Sequence, residues 1–323
     1  MTLLFRLLRG LIVFGAAVWG ALALHFDGPD PVWLREALAV GYAVLMALAG
    51  LARPAAAGSL ARAALFGGVL AWWLSITPSN DRDWAPEYAR LPAVTREGSR
   101  VTIRGIRDFA YHGSEAAATP RWYDATYDLD ELESLDLVSS YWAGDAIAHI
   151  LVSFGFRDGR HLAVSIETRR ERGEGYSTLA GFFRQYELIY VVADERDLIG
   201  LRTDIRHERV YLYRVHLPPE ALRALFLSYL DRIEALRTRP EFYNTLTDNC
   251  TTNILAHANT VAPGIAYSWK VLASGHAAEY AHDLGLLDSG MPFEALRRES
   301  RVRRPDGAVI GPDYSAAIRR GLP

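Results

Sequence analysis

The chain has 323 residues, is 50% hydrophobic and carries a formal net charge of −3. This length predicts one or two domains. The near-neutral charge gives no indication of a nucleic-acid partner. Apolar residues are concentrated near the N-terminus, and the sequence has a single cysteine, Cys250.

The first 78 residues contain three apolar runs, Leu11–Leu24, Ala37–Ala52 and Ala63–Thr77. With its flanks, each run reaches the length of about 20 residues that a spanning helix needs. A cleaved signal peptide would explain only the first run, and buried helices of a soluble domain are the alternative for all three. We therefore predict a membrane domain with three transmembrane helices at 1–78 and an exported domain at 79–323.

The placement of arginines predicts how these helices are oriented. Two arginines precede the first run and two separate the second from the third (Arg6, Arg9, Arg53 and Arg62), whereas the intervening loop is rich in acidic residues. The N-terminus is therefore expected in the cytoplasm, and the chain after Pro78 in the periplasm, anchored to the bacterial inner membrane. Disulfides form there, so a lone cysteine is either an intermolecular link or a reactive thiol.

Alternating patterns predict strands in Ser99–Gly113, Tyr186–Ala193 and Arg209–Leu217. The acidic, aromatic stretch Pro120–Trp142 is expected to be mostly irregular, with one strand. Apolar residues at helical spacing after Pro219 predict a helix, with its apolar face at Leu222, Leu225, Phe226, Tyr229, Ile233 and Leu236.

A β-hairpin is predicted over Ala146–Glu171, where two β-rich runs flank a short turn. If Phe156 pairs with Arg160, His149 and Glu167 lie directly opposite each other. Cross-strand neighbours have Cβ atoms roughly 4.5–5.5 Å apart, so the carboxylate is expected to accept a hydrogen bond from one imidazole nitrogen and leave the other free. Small side chains beside this pair let another backbone approach (Ser153, Ala163 and Ser165). The alternative is a polar pair that faces solvent.

Cys250 is predicted to lie in the first turn of a helix, with Asp248 or Asn249 as the N-cap. An apolar stripe is expected on that helix at Ile254, Leu255 and Ala258. The helix dipole there favours thiolate, and unpaired backbone N–H groups could cradle an oxyanion. A thiolate beside a histidine that a carboxylate orients is an activated nucleophile. The alternative is a thiol that only packs in the core.

The remaining histidines offer no comparable arrangement. His257 is two turns beyond Cys250 on the same helix, too far to activate it. The sequence has no metal-binding motif, so neither a metal nor another cofactor is expected. Papain-like enzymes usually place the cysteine helix before the histidine strands, so the reversed order here indicates a circular permutation of that fold.

Four stretches make the sequence similar to a known family: "TPRWYDATYDLD", "SYWAGDAIAHILVSFGF", "LAVSIETRRERGEGYSTLAGFFRQYELIYVVADERD" and "RPEFYNTLTDNCTTNI". They span roughly Asn80–Leu296 and resemble the bacterial Lnb N-terminal periplasmic domain family. The resemblance implies an α+β, permuted papain-like (NlpC-type) domain with an antiparallel sheet and a cysteine-bearing helix. Members of the Lnb type are lipoprotein N-acyltransferases, and Cys250, His149 and Glu167 match the nucleophile, base and orienting positions.

The expected function is therefore a membrane-anchored cysteine acyltransferase. Its partners would be the lipid bilayer, a phospholipid donor and a lipoprotein amine. Substrate contacts are expected from Arg169, Tyr176, Arg184, Asn249 and Thr251. Two alternatives stay open: a cell-wall peptidase or amidase with the same Cys-His-Glu site, and a non-enzymatic binding module of the cell envelope.

Overall fold

The computed structural model describes residues 2–288, 290–305 and 307–323. These residues form two compact units. The first contains the N-terminal helices together with the segment Tyr176–Glu187, which the sequence placed with the exported domain. The second consists of Asn80–Gly175 and Leu188–Pro323 and contains most of the sheet.

Three helices form the body of the first unit: α1 (Thr2–Asp27), α2 (Val32–Leu48) and α3 (Ala55–Ser75). By length and composition each is able to cross a membrane, so the three predicted apolar helices are confirmed. Tyr42 of α2 donates a hydrogen bond to the Ala16 carbonyl of α1 at 3.0 Å. A Cβ at Gly20 would lie 2.5 Å from the Tyr42 ring, so this glycine allows the two helices to pack closely.

The segment Tyr176–Glu187 packs against the C-terminal ends of α1 and α3. The Arg184 guanidinium donates to the carbonyls of Leu74 and Ile76 and lies 4.3 Å from the centre of the Trp73 ring. The backbone N–H of Arg184 also donates to Asp27 at 3.1 Å. Capping the end of α3 in this way holds the segment against the helices.

The sheet has eight strands: β1 (Ala93–Glu97), β2 (Arg100–Arg107), β3 (Trp122–Asp128), β4 (Leu132–Tyr141), β5 (His149–Phe156), β6 (His161–Arg169), β7 (Glu187–Ala193) and β8 (Arg209–Val215). Their order is β1-β2-β7-β6-β5-β4-β8, with β3 also paired to β2. The bridge between β2 and β7 is parallel, so the sheet is mixed and not wholly antiparallel as predicted. The α+β class is confirmed.

The stretch Pro120–Trp142 forms two strands, β3 and β4, and the expectation of a mostly irregular segment was wrong. The acidic residue Asp136 is fully buried in β4. Its carboxylate pairs with Arg214 at 2.6 Å and with Arg319 at 2.7 Å. Two arginines distant in sequence thus compensate the negative charge of Asp136. Without them, a buried carboxylate in a strand would be costly.

The predicted hairpin is confirmed in β5 and β6. Leu151 lies opposite Ser165 and Ser153 opposite Ala163, which is the predicted register. The turn closes with a 2.9 Å hydrogen bond from the Phe156 N–H to the Arg160 carbonyl. Gly159 has φ +85°, a conformation that glycine adopts without strain.

The second unit also contains seven helices within the described residues: α4 (Glu195–Gly200), α5 (Pro219–Thr238), α6 (Cys250–Val261), α7 (Trp269–Leu272), α8 (Ala277–Asp283), α9 (Phe293–Glu299) and α10 (Tyr314–Ala317). The apolar face predicted for α5 is buried at all six positions, together with Leu230. Helix α6 packs against β5 and β6, which brings the cysteine helix onto the hairpin.

Candidate functional site

Cys250 is the first residue of α6, as predicted. The Asn249 side chain accepts a hydrogen bond from the Thr252 N–H at 3.0 Å, and the Thr252 hydroxyl accepts one from the Asn249 N–H at 2.9 Å. This reciprocal capping box fixes where the helix begins. It leaves the half-buried cysteine at the N-terminal tip of the helix.

The sulfur of Cys250 faces backbone N–H groups from two elements. Those of Cys250 itself and Thr251 belong to the first turn of α6, and that of Ile150 belongs to β5. Each of these groups stabilises a thiolate. Ile150 directly follows His149 in the sequence, so this contact places the sulfur near the start of β5.

The buried face of α6 is polar, and the predicted apolar stripe was wrong. Thr251, Asn253 and His257 are buried, whereas the three predicted apolar residues are only half-buried (Ile254, Leu255 and Ala258). The Thr251 hydroxyl donates to the Val271 carbonyl at 2.8 Å. His257 bonds Tyr190 at 2.8 Å, so the polar groups on this face have partners in the core.

His149 and Glu167 are linked through Ser165. The Nε2 atom of His149 lies 2.6 Å from the Ser165 hydroxyl, which donates to Oε1 of Glu167 at 2.6 Å. The direct distance from Nε2 to Oε1 is 3.7 Å, which is too long for a hydrogen bond. The structure therefore brings the two predicted residues together and places between them the hydroxyl of Ser165, which was predicted only as a small side chain beside the pair.

Two further side chains hold the Glu167 carboxylate. Arg202 donates to Oε1 at 3.2 Å, and the Tyr88 hydroxyl donates to Oε2 at 3.2 Å. Arg202 itself is only 6% exposed and lies in a π-helical turn, Leu201–Ile205, directly after α4. Such turns are frequent at functional sites. Sequence reasoning missed Arg202 and Tyr88, because each comes from a segment distant from the hairpin.

The hydrogen bonds define where the protons lie. Burial opposes ionisation of Glu167, but Arg202, His149, Arg107 and the Ser165 hydroxyl together hold its pKa well below the usual range. An ionised carboxylate only accepts hydrogen bonds, so the single hydroxyl proton of Ser165 points toward Glu167. The serine oxygen must then accept from Nε2–H of His149. The other ring nitrogen, Nδ1, is therefore the unprotonated one.

The thiol and the imidazole are both neutral at rest. Burial, reinforced by Arg202, lowers the pKa of His149 to about 3, even though Glu167 acts in the opposite direction. Burial also raises the pKa of the Cys250 thiol above its ordinary value, against the opposing effect of the backbone N–H groups. The expectation that the helix start would favour thiolate was therefore wrong in its net direction, because desolvation outweighs the helix contribution.

The five residues predicted to contact substrate differ in burial and in the unit to which they belong. Arg169 is only 2% exposed. Its guanidinium donates to the Tyr88 carbonyl and to Asn80 and lies 4.0 Å from the centre of the Trp84 ring. A buried arginine with these contacts is not available to a substrate, so the substrate contact expected from Arg169 was wrong.

The other four residues divide between the two units. Tyr176 is 53% exposed and belongs to the first unit, as does Arg184, whose guanidinium caps α3. Asn249 and Thr251 adjoin Cys250, and the Thr251 hydroxyl oxygen lies 2.8 Å from the Asn249 side-chain oxygen. Their side chains thus stabilise the helix start, whereas the Thr251 N–H faces the sulfur.

Large apolar side chains are exposed on the segments that adjoin the cysteine and the histidine. Five of them, which we call the apolar rim, are 47–61% exposed: Trp142, Ile147, Tyr267, Trp269 and Leu272. The first two lie on the loop between β4 and β5 that leads into His149. The other three lie on or just before α7, whose Val271 carbonyl accepts the Thr251 hydrogen bond. Exposed apolar groups of this size typically mark a binding surface.

The loop before His149 and the segment after α7 contact each other. The Gly275 N–H donates to the Ala146 carbonyl at 3.0 Å, and the Ser274 hydroxyl bonds both backbone groups of Ala148. A Cβ at Gly275 would lie 2.0 Å from the Asp145 carbonyl oxygen, so this contact requires glycine. The two parts of the apolar rim are therefore held together beside the site. Among the described residues, no group of three or more His, Cys, Asp or Glu side chains is placed to hold a metal ion.

Three helices able to span a membrane and an α+β unit define the chain as a membrane-anchored protein with a separate folded domain. The model of the Lnb N-terminal periplasmic domain family matches residues 118–275. Residues 118–275 therefore match this family, which supports the resemblance seen in the sequence. The match includes Cys250, His149, Ser165 and Glu167. No curated protein and no solved structure matches the chain.

Proposed function

We propose that the protein is a cysteine acyltransferase of the inner membrane, with its N-terminus in the cytoplasm and its folded domain in the periplasm. It moves an acyl chain from a phospholipid, through a thioester on Cys250, to the N-terminal amine of a lipoprotein. The observation that carries the proposal is the apolar rim beside the cysteine. Exposed apolar side chains, including two tryptophans, offer an acyl chain a surface to pack against at the edge of the site.

In the first step His149 acts as the general base. Its Nδ1 takes the thiol proton as the sulfur attacks the ester carbonyl of the phospholipid. The new C–S bond replaces the ester C–O bond, and the proton passes from Nδ1 to the departing alcohol of the lysophospholipid. Because thiol and imidazole are both neutral at rest, proton transfer and attack occur together. The N–H groups of Cys250 and Thr251, at the start of α6, would stabilise the developing oxyanion.

In the second step a lipoprotein amine attacks the thioester. A C–N bond forms, the C–S bond breaks, and the proton released by the amine returns through Nδ1 to the sulfur. Glu167 and Ser165 hold the proton on Nε2 throughout both steps, so that Nδ1 alone takes up and releases the transferred proton. Arg202 keeps the carboxylate ionised, so that it does not take the proton itself.

We interpret this arrangement as a permuted papain-like site. A cysteine at a helix start lies against a strand that carries the histidine, and an acidic residue on the neighbouring strand orients the imidazole. The additional serine distinguishes this site from a direct histidine–carboxylate pair. Membrane anchoring supports lipid as the acyl donor, because three helices tether the domain to its substrate.

An assay of acyl transfer from a phospholipid to a lipopeptide amine tests the proposed function. Purified full-length protein in phospholipid vesicles with a labelled acyl chain is given a synthetic diacylated lipopeptide that has a free N-terminal amine. We expect a labelled amide product with the native chain and none with Cys250→Ala. Labelled free fatty acid alone would identify a hydrolase, and cleavage of a cell-wall peptide without acyl transfer would identify a peptidase. Either result would overturn the proposal.

A further inference from the structure

The first unit contains a groove of about 470 Å³ between α1 and α3, within the size range of ligand sites. Most of its wall is apolar, with Ile12, Trp19 and Phe66 among the lining residues. Its polar lining residues are Arg9, Ser59 and Arg62. The groove is thus amphipathic, with two positive charges and a long apolar wall.

The hydrogen bonds that the structure shows for these two arginines all go to neutral groups. Arg9 donates to the Ser59 hydroxyl at 2.7 Å, and Arg62 donates through Nε to the Met46 carbonyl at 2.9 Å. The acidic residues among residues 1–79 are Asp27, Asp30 and Glu36, all near the connection between α1 and α2. Arg9 and Arg62 lie near the N-terminal ends of α1 and α3, away from that connection. The helices therefore place no carboxylate beside the two guanidinium groups.

Both arginines lie about two turns inside their helices, counted from the N-terminal end. Arg9 is seven residues after the start of α1, and Arg62 seven residues after the start of α3, or about 10 Å along each helix at 1.5 Å per residue. At this depth a guanidinium lies near the boundary of the hydrocarbon layer, where an uncompensated charge is costly. Charged residues inside spanning helices pair with another group or mark a binding site.

We infer that the groove binds one anionic phospholipid from the leaflet that faces the chain's N-terminus. The guanidinium groups of Arg9 and Arg62 hold the phosphate, because arginine matches its oxygens with two parallel hydrogen bonds. An acyl chain lies against Ile12, Trp19 and Phe66. Basic pockets between membrane helices select anionic headgroups in this way. A zwitterionic lipid adds an ammonium that these arginines repel, so a net negative headgroup is favoured.

This lipid is distinct from the acyl donor of the proposed function, because the groove belongs to the helices alone and binding there requires no reaction at Cys250. Native mass spectrometry of the delipidated full-length chain in detergent, titrated separately with phosphatidylglycerol and phosphatidylethanolamine, measures the binding directly. We expect one phosphatidylglycerol per chain, bound about tenfold more tightly than phosphatidylethanolamine, as expected for one charge-assisted contact.

Three variants separate the site from general surface charge. Arg9→Gln removes one phosphate contact and is expected to weaken phosphatidylglycerol binding about tenfold. Gly15→Leu fills the groove, where an added Cβ meets no atom within 4 Å, and is expected to weaken binding without altering any charge. Arg6→Gln is the matched control, since Arg6 lies one turn earlier on α1 and does not line the groove. Circular dichroism confirms that each variant is folded.

Equal weakening by Arg6→Gln and Arg9→Gln would show that only overall charge matters and would overturn the inference. Equal binding of the two lipids, or undiminished binding in both Arg9→Gln and Gly15→Leu, would overturn it as well. Loss of acyl transfer with lipid binding intact would count only against the proposed function.

Discussion

Nε2 of His149 and Oε1 of Glu167 lie 3.7 Å apart, and the hydroxyl of Ser165 connects them with two contacts of 2.6 Å. The acidic residue therefore acts on the imidazole through a hydroxyl. This relay fixes which ring nitrogen carries the proton, because the ionised carboxylate accepts and the serine has a single proton to donate. The orientation of His149 thus depends on Ser165 as well as on Glu167.

Replacing Ser165 with alanine removes the relay without touching the cysteine or the histidine. We expect Ser165→Ala to lower the rate of acyl transfer by about 10–100-fold, the usual cost of losing a partner that orients a reactive group. Ser139→Ala is the matched control, because it also deletes a buried serine hydroxyl in the sheet, one that has no hydrogen-bond partner among the described residues. Rates for both variants are measured with the labelled-lipid assay. Similar losses in the two would mean that Ser165 contributes only to packing.

Glu167→Gln is expected to destabilise the fold as well as reduce activity. It leaves the guanidinium of Arg202, which is 6% exposed, without its counter-charge. Breaking a buried pair in this way costs about 3–5 kcal/mol, seen as a lower free energy of unfolding of the full chain in detergent. Glu171→Gln removes a carboxylate that is 34% exposed and pairs with Arg82 at 3.0 Å, and it should cost about 1 kcal/mol or less. Equal losses would contradict a buried ion pair at Glu167.

The alkylation rate of Cys250 should follow a raised thiol pKa. Burial raises the pKa of Cys250, so the rate with iodoacetamide is expected to rise with a midpoint above that of the same thiol in the unfolded chain. No step is expected between pH 5 and 7, because the lowered pKa of His149, about 3, keeps the imidazole neutral across that window. A midpoint below that of the unfolded thiol would instead indicate a resting thiolate–imidazolium pair.

His257 should make the fold sensitive to acid. Burial lowers its pKa to about 4, with Arg232 adding to the effect. Between roughly pH 6.5, the ordinary value, and pH 4, the unfolded chain binds a proton that the native state does not, so stability falls as pH falls. His149 acts in the same direction. His257→Gln should reduce the loss of unfolding free energy between pH 7 and 4.5 by on the order of 2 kcal/mol.

His112→Gln serves as the control for that experiment, because His112 lies on the surface. Denaturant unfolding of the full chain in detergent at the two pH values gives the four free energies that are compared. If His112→Gln and His257→Gln flattened the acid loss equally, the buried position of His257 would not be its cause.

The features that the sequence predicts well are local ones. The hairpin register follows from two β-rich runs and a glycine turn, and the position of Cys250 follows from the capping chemistry of Asn249. Both depend on neighbours within a few residues, which a sequence pattern records directly.

The features that it misses depend on distant residues. Arg202 lies 35 residues after Glu167, and no periodic pattern links them. Asp136 is tolerated in a buried strand only because Arg214 and Arg319 form ion pairs with it. The polar buried face of α6 has the same origin, since Tyr190 and Val271 supply partners for side chains that a helical wheel would place at the surface.

The central claim is that Cys250 receives the acyl chain, and mass spectrometry tests it most directly. Full-length protein is mixed with vesicles of a phospholipid of defined acyl chain, without an acceptor, and the Cys250 peptide is weighed after rapid quenching. We predict a mass increase of one acyl group on Cys250, removed by neutral hydroxylamine and lost in His149→Ala. An unmodified Cys250 in a preparation that transfers acyl groups to an amine, or equal acylation of the native and His149→Ala proteins, would contradict it.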